Sequence, residues 1–427
     1  MLIILCSALI AEEITLDVYL QKVIQASYER YEVGLQTDEI DAQKRQLIAG
    51  YFPALSYSLN LSQSEQGPRD VFVGSVPISQ PATTYEYHST ALNLSQQFFD
   101  WGNSFRKKER LKLNKDAIES DFMLRARTLT EQALILYFQL VEANEILEIL
   151  KQELSETQIL QKHLKNLVER GVKPPMDKLQ MDITLNEVMS KINSQEFRVA
   201  QYRAEVSFLI NEPIDTAFTL LPPAEFEQLI EFNPSIPNPA SNYLTDQIKI
   251  NELELSILKW DRMPDVYFNA GYSRGNTFFK SLYTNFDKDW YMHFSLSLSL
   301  PLFKNRQYSL QETRKWIQIL RLTQQLDIEK KKIDKQVYIL LKQIQKDKEQ
   351  IVLQEENIKN YENIFTHELD RYNSGLIDYR ILKDAKNILL QSRQSQISLK
   401  YSSIGNKEKL KLLLGEWDEA ILAIIEK

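Results

Sequence analysis

From Asn103 to Arg170 the chain contains neither glycine nor proline, and Gly171 closes the run. A continuous helix over that stretch would reach roughly 100 Å at 1.5 Å per residue, longer than an ordinary globular domain can house. Its apolar residues recur at alternating three- and four-residue steps: Leu136, Leu140, Ala143, Leu147, Leu150 and Leu154, then Leu164 and Val168, with Thr157 and Gln161 interrupting the stripe. That spacing is the seam of a coiled coil. The stretch is rich in Leu, Glu, Gln, Lys and Ala, which favour helix, but propensity alone does not hold so long a helix in water. It must pack lengthwise on another helix, and the partner is expected just past Gly171.

Composition narrows the class further. In 427 residues there are only 11 Gly and 14 Pro, which implies a few very long elements. A net charge of -7 argues against a nucleic-acid partner, which calls for a basic face. The single cysteine, Cys6, allows no internal disulfide. Residues 1–14 open with an apolar run and offer Ala8 or Ala11 before a cleavage point, so a signal peptide is expected there, although no Lys or Arg precedes the run. Ile4 and Leu5 before Cys6 do not fit a lipidation signal. No later segment has the roughly 20 apolar residues of a membrane-spanning helix, so any membrane contact must come from strands.

Read in order, the plan occurs twice. Residues 15–210 form the first repeat: a helix ending at Gly50, a strand over 51–62, a loop by composition over 63–86, a strand over 88–96, the long helix 103–170, a stiff Gly171 to Pro175 turn and a returning helix 177–209. A proline-rich connector fills 211–242, the equatorial region. Residues 243–415 repeat the programme with a helix, strands 264–273 and 290–300, a second long helix 305–374 whose stripe includes Val337, Ile358 and Tyr372, a turn at Gly375, and a returning helix 378–414. Residues 416–427 are a tail.

The strand 290–300 says most about function. Trp290, Met292, Phe294, Leu296, Leu298 and Leu300 point one way; Tyr291, His293, Ser295, Ser297 and Ser299 point the other. Alternation over 9 to 11 residues is what a transmembrane β-strand needs. A half-buried strand of a soluble sheet shows the same alternation, but four such strands joined only to very long helices favour the membrane. On 51–62 and 88–96 the apolar faces are less continuous. Four strands cannot close a barrel, and open edges are not tolerated in hydrocarbon, so the chain is expected to oligomerise.

The duplicated plan, the Phe-Pro-Ala-Leu start at Phe52 to Leu55, the Gln-Gln-Phe-Phe-Asp-Trp-Gly run at Gln96 to Gly102 and the two glycine turns together resemble the TolC-like outer-membrane efflux proteins. The resemblance covers nearly everything from Thr15 onward. It implies long α-helical coiled-coil hairpins plus a transmembrane β-barrel: a homotrimer with four strands per protomer, seated in outer-membrane lipid with its helices in the periplasm of a Gram-negative-type bacterium. A periplasmic adaptor (membrane fusion protein) and an inner-membrane pump of RND, ABC or MFS type would be its partners. The resemblance further places a periplasmic constriction at Asp177 and Asp384 and a gate tyrosine at Tyr372, while Ile381 stands where a second acidic residue often occurs and Ile377 where a basic gate partner would be. A ring of symmetry-related carboxylates would favour cations. Asp177 is equally suited to capping a helix. The turns at Arg170, Gly171 and Val172 and at Ser374, Gly375 and Leu376 are the implied adaptor contacts, and glycine ending a helix there is compatible with that.

Enzyme chemistry finds no footing. His88, His163, His293 and His367 are scattered, no HExxH, CxxC or P-loop is present, and no cofactor is implied. The expected function is therefore a passive exit duct of a tripartite efflux or type I secretion system, energised by its pump. A periplasmic tethering coiled coil or adaptor without a membrane barrel is the alternative, and the disposition of the strand faces discriminates the two. The cargo is not encoded in such a conduit.

Overall fold

The computed structural model describes residues 12–213, 218–221, 238–276, 290–300, 305–418 and 421. In chain order the elements are β1 (Glu12–Ile14), α1 (Leu16–Ala26), α2 (Tyr28–Ala49), β2 (Ala54–Gln66), β3 (Arg69–Val73), β4 (Val76–Gln80), β5 (Thr83–Phe99), α3 (Asn103–Glu169), α4 (Pro175–Leu209), β6 (Phe218–Leu220), α5 (Pro239–Trp260), β7 (Asp265–Asn276), β8 (Trp290–Ser299), α6 (Asn305–Asn373) and α7 (Tyr379–Leu414). The two uninterrupted stretches are helices of 67 and 69 residues. Contacts divide the chain into two units, one of residues 35–118 and 244–324, the other of the remainder. No helix among the described residues is long and apolar enough to cross a membrane.

In the first unit, β2, β5, β7 and β8 form an antiparallel sheet in that order. The register sorts the side chains. Leu55 pairs with Leu94 and Tyr57 with Leu92; Leu92 pairs with Tyr272 and Leu94 with Ala270; Phe268 pairs with Leu296, Ala270 with Phe294 and Tyr272 with Met292. Because alternate residues share a face, all four apolar stripes lie on one side. Phe294 and Leu296 there are 68% and 69% exposed, so the band is not a core. The opposite side is polar: Ser95 Oγ donates to Asn269 Oδ1 at 2.9 Å, and Asn269 Nδ2 to Ser297 Oγ at 3.1 Å.

Where this sheet passes into helices, Asp100 organises the turn by accepting from the backbone N–H of Gly102 at 3.0 Å and of Ser104 at 2.7 Å, which satisfies donors at the start of α3. Trp101 has φ 56, and its indole N–H donates to the Pro264 carbonyl at 2.8 Å. Arg106 lies 4.5 Å over the Trp260 ring, and Asn103 donates to Asp261 at 2.7 Å, so α3 is fastened to the end of α5 as it leaves β5.

The second unit carries the main core, where α1, α3, α4 and α7 meet around Tyr19, Leu134, Tyr137, Val206, Phe218 and Tyr401. Along α3 the seam residues Leu136, Leu140, Ala143, Leu147, Leu150 and Leu164 are buried as their spacing requires. Leu134 is fully enclosed, so Leu134→Ala is expected to cost about 2–5 kcal/mol through lost burial and the cavity left behind. Thermal unfolding followed by far-ultraviolet circular dichroism would show this as a clearly lower midpoint.

Several boundaries differ from expectation. The helix read over 15–50 is two helices, because Ser27 takes extended geometry and its hydroxyl donates to the Ile24 carbonyl at 2.9 Å while accepting from the Arg30 N–H at 3.4 Å, an alternative to helical bonding. The stretch 63–86, read as a loop from its glycines and prolines, is largely strand. It holds the ends of β2 and β5 and the β3–β4 hairpin, which turns at Gly74 with φ 65. Pro77 is tolerated because this ribbon has only two strands, and a free edge needs no N–H. Of residues 1–14, only Glu12–Ile14 are described; they pair in parallel with Phe218–Leu220, and Ile14 is wholly buried. A cut after Ala8 or Ala11 spares this strand, whereas one after Ile14 removes it. Most of the connector 211–242 and of the tail 416–427 lies outside the described residues.

Candidate functional site

The two turns that close the helical hairpins are built alike. After α3, the Gly171 N–H donates to the Val168 carbonyl at 2.9 Å and the Val172 N–H to Leu167 at 2.9 Å; after α6, Gly375 donates to Tyr372 at 3.0 Å and Leu376 to Arg371 at 2.9 Å. This paired pattern satisfies the last carbonyls of a helix and needs a left-handed residue at its centre. Gly171 and Gly375 supply it with φ of 72 and 78. A Cβ at either would meet no atom within 4 Å, so Gly→Ala should cost only backbone strain, about 1–2 kcal/mol. Each single variant is expected to fold with a slightly lower melting midpoint. Val172 and Leu376, which often pack back onto such a helix end, are instead exposed, as are Arg170 and Ser374.

Between the turns, Tyr372 in the last turn of α6 is 1% exposed, and its hydroxyl donates to Asp177 Oδ2 at 2.8 Å. Burial first, and then the hydrogen bond and charge of Asp177, hold its pKa well above the ordinary tyrosine range. Asp177 is also buried. It is not the cap of α4: the N-cap is Pro174, and the Asp177 side chain reaches across to α6. Tyr379 stands edge-on to Tyr372 with ring centroids 6.0 Å apart and donates to Thr184 Oγ1 at 3.2 Å. Its pKa is raised chiefly by burial. Leu164, Met181 and Leu382 close an apolar shell around the pair, with Ile377 packed against it.

Asp384 is not brought to this cluster. It lies exposed on α7 between the exposed Ile381 and Ile388, and it makes no hydrogen bond or ion pair among the described residues. Two features went unread in the sequence. Lys173, 8% exposed, donates from Nζ to the Tyr372 carbonyl and sits 4.0 Å from the centre of the Tyr372 ring. Farther along, Lys386 of α7 is buried against α3, 2.9 Å from Glu153 Oε1 and 3.0 Å from Thr157 Oγ1. Thr157 is the residue at which the α3 stripe breaks, so the interruption houses this polar group. Gln161, the other interruption, donates to Asp182 at 2.6 Å. A polar residue inside an apolar stripe was the available signal, but nothing local to it names its partner.

A four-stranded sheet with one exposed apolar face, joined to long helical hairpins, is the protomer plan of the helical-hairpin and β-barrel class. The chain belongs to the outer membrane efflux protein family, whose model matches residues 20–212 and 255–416, and it is accordingly an outer-membrane transport protein. Solved structures share its fold. CusC is 18% identical over 93% of this chain and 91% of its own, with TM-score 0.75. VceC from Vibrio cholerae is 15% identical over 94% and 96%, with TM-score 0.73. The CmeC outer membrane channel of Campylobacter jejuni is 13% identical over 94% and 85%, with TM-score 0.75. No curated protein matches the chain by sequence.

Proposed function

We propose that this protein is the outer-membrane exit duct of a tripartite export assembly. In this reading three copies close a shared barrel, a periplasmic adaptor docks on the two helical turns, and an inner-membrane pump of RND, ABC or MFS type supplies the energy. One observation carries the reading: the register gathers the apolar stripes of β2, β5, β7 and β8 on one exposed face, while polar residues line the other. Lipid suits the first face and a watery lumen the second. Among the described residues the sheet ends at β2 and β8, and bare edges in hydrocarbon must be paired, which neighbouring copies would do. The description of CusC as undergoing conformational changes with transmembrane channel formation agrees with assembly of this kind.

The duct is passive in this reading, and its periplasmic end is held by the cluster at the turns. Asp177 and Tyr372 form the gate contact, Asp384 supplies a ring of carboxylates when three copies meet, and the exposed turn residues Arg170, Gly171 and Val172, with Ser374, Gly375 and Leu376, receive the adaptor.

Particle mass and shape after detergent extraction test this directly, by light scattering and electron microscopy on one fraction. A trimeric hollow particle more than about 100 Å long, as the helices require, with a detergent belt at one end, is the expected result. A monomer that stays in solution without detergent sinks the duct and favours a tether.

A further inference from the structure

We propose that Lys173 is a second grip on Tyr372, so that both charges holding this tyrosine at the helical turns come from the first hairpin. This rests on the duct reading above. Lys173 stands two residues after Gly171, and Pro174 and Pro175 follow it. The residue before a proline is confined to extended backbone, which aims the side chain across to α6 instead of letting it wind into α4. There its ammonium donates to the Tyr372 carbonyl and faces the Tyr372 ring at 4.0 Å. Both contacts suit a cation. The carbonyls ending a helix carry partial negative charge, and the face of an aromatic ring attracts a desolvated ammonium.

Among the described residues no carboxylate lies within 4.0 Å of this ammonium. The Asp177 carboxylate instead holds the hydroxyl end of the same tyrosine at 2.8 Å. Tyr372 is therefore grasped at three points, carbonyl, ring and hydroxyl, by two opposite charges from one short segment. Removing the cation would release the carbonyl and the ring, leave Tyr372 held by its hydroxyl alone and loosen the closed form.

The duplication shows the asymmetry. Two residues after Gly375 stands Ile377, and six residues after it stands Ile381, where the first repeat has Lys173 and Asp177. The second turn has apolar side chains at both places, and Ile377 packs into the shell around Tyr372. At this turn the second hairpin meets Lys173 and Asp177 with the carbonyl, ring and hydroxyl of Tyr372 and brings no charge of its own to that contact.

The test uses the full-length protein in planar lipid bilayers at neutral pH, with Lys173→Met, Lys173→Arg, Tyr372→Phe and the double variant Tyr372→Phe/Lys173→Met. Lys173→Met is expected to raise the fraction of time the channel spends open, and with it the mean conductance per channel, several-fold, and Lys173→Arg to restore closure. Tyr372→Phe keeps the carbonyl and the ring, so adding Lys173→Met to it should raise conductance further. A Lys173→Met channel as closed as wild type, or one indistinguishable from Lys173→Arg, overturns the proposal.

A second measurement is independent of how the variants conduct. Acylation of Lys173 by an amine-reactive ester, followed by peptide mass spectrometry, should be about tenfold slower in the wild type than in Tyr372→Ala, and equal rates in the two overturn the grip. If neither the wild type nor any of the variants conducts ions in any bilayer while Lys173 is protected in this way, the duct reading fails and the contact stands.

Discussion

Asp177→Ala is expected to spring the periplasmic end of the duct. The substitution removes the acceptor of a buried hydroxyl, and a buried donor left unsatisfied costs about 1–3 kcal/mol. Applied to the closed form alone, that shifts the closed-to-open equilibrium by roughly 5- to 150-fold in each protomer, and three protomers would compound the effect. Single-channel recording should show long-lived, high-conductance openings, while Asp177→Asn, which keeps an acceptor oxygen, should lie between the two. A channel as closed as wild type would remove the Tyr372 contact from the gate. The alkaline response follows from the same geometry. A group whose folded pKa is raised contributes stability that is whole below its unfolded value, about 10 for tyrosine, and that is lost only as pH rises through the folded value. The Tyr372 contact should therefore hold unchanged from neutral pH to about pH 10.

The second large effect concerns the sheet. Leu296→Arg places a cation on the exposed apolar face opposite Phe268, and a cation facing lipid near the bilayer midplane costs about 2–4 kcal/mol. If three copies share the barrel, the cost recurs in each. The expected outcome is poor recovery of the folded protein from the outer membrane and a lower denaturant midpoint in detergent. Ser297→Arg, its immediate neighbour on the polar face beside Asn269, should insert normally and shift the pore toward anions. Equal tolerance of both substitutions would mean that neither face meets lipid and would return the sheet to the soluble alternative.

Much of this architecture was legible because it is local. The length of α3 followed from an absence of breakers, and its end from Gly171. The alternation in β8 is written in consecutive residues. The hairpin of β3 and β4 was hidden because Gly67, Pro68, Gly74, Pro77 and Pro81 read as loop residues, and only strand pairing reveals that Pro77 sits within a two-stranded ribbon, where a free edge needs no N–H. The site divides in the same way. Tyr372 and Asp177 were legible as candidates, and their contact is direct. Lys173 was passed over because a lysine in a turn is ordinarily solvated, and Asp384 proved to be exposed and apart from the other two within the protomer.

By itself, then, the amino-acid sequence determined two very long helices, the glycine turns that end them, four alternating strands and the duplicated order in which they occur. Each of these depends on periodicity or backbone freedom within a few residues. Tertiary structure alone decided which strand faces align, that Asp177 bonds a hydroxyl 195 positions away, and that Lys386 fills the break at Thr157, 229 positions distant. Such pairings arise only when packing excludes water and leaves each buried polar group to find a partner, and that choice is made by neighbours in space.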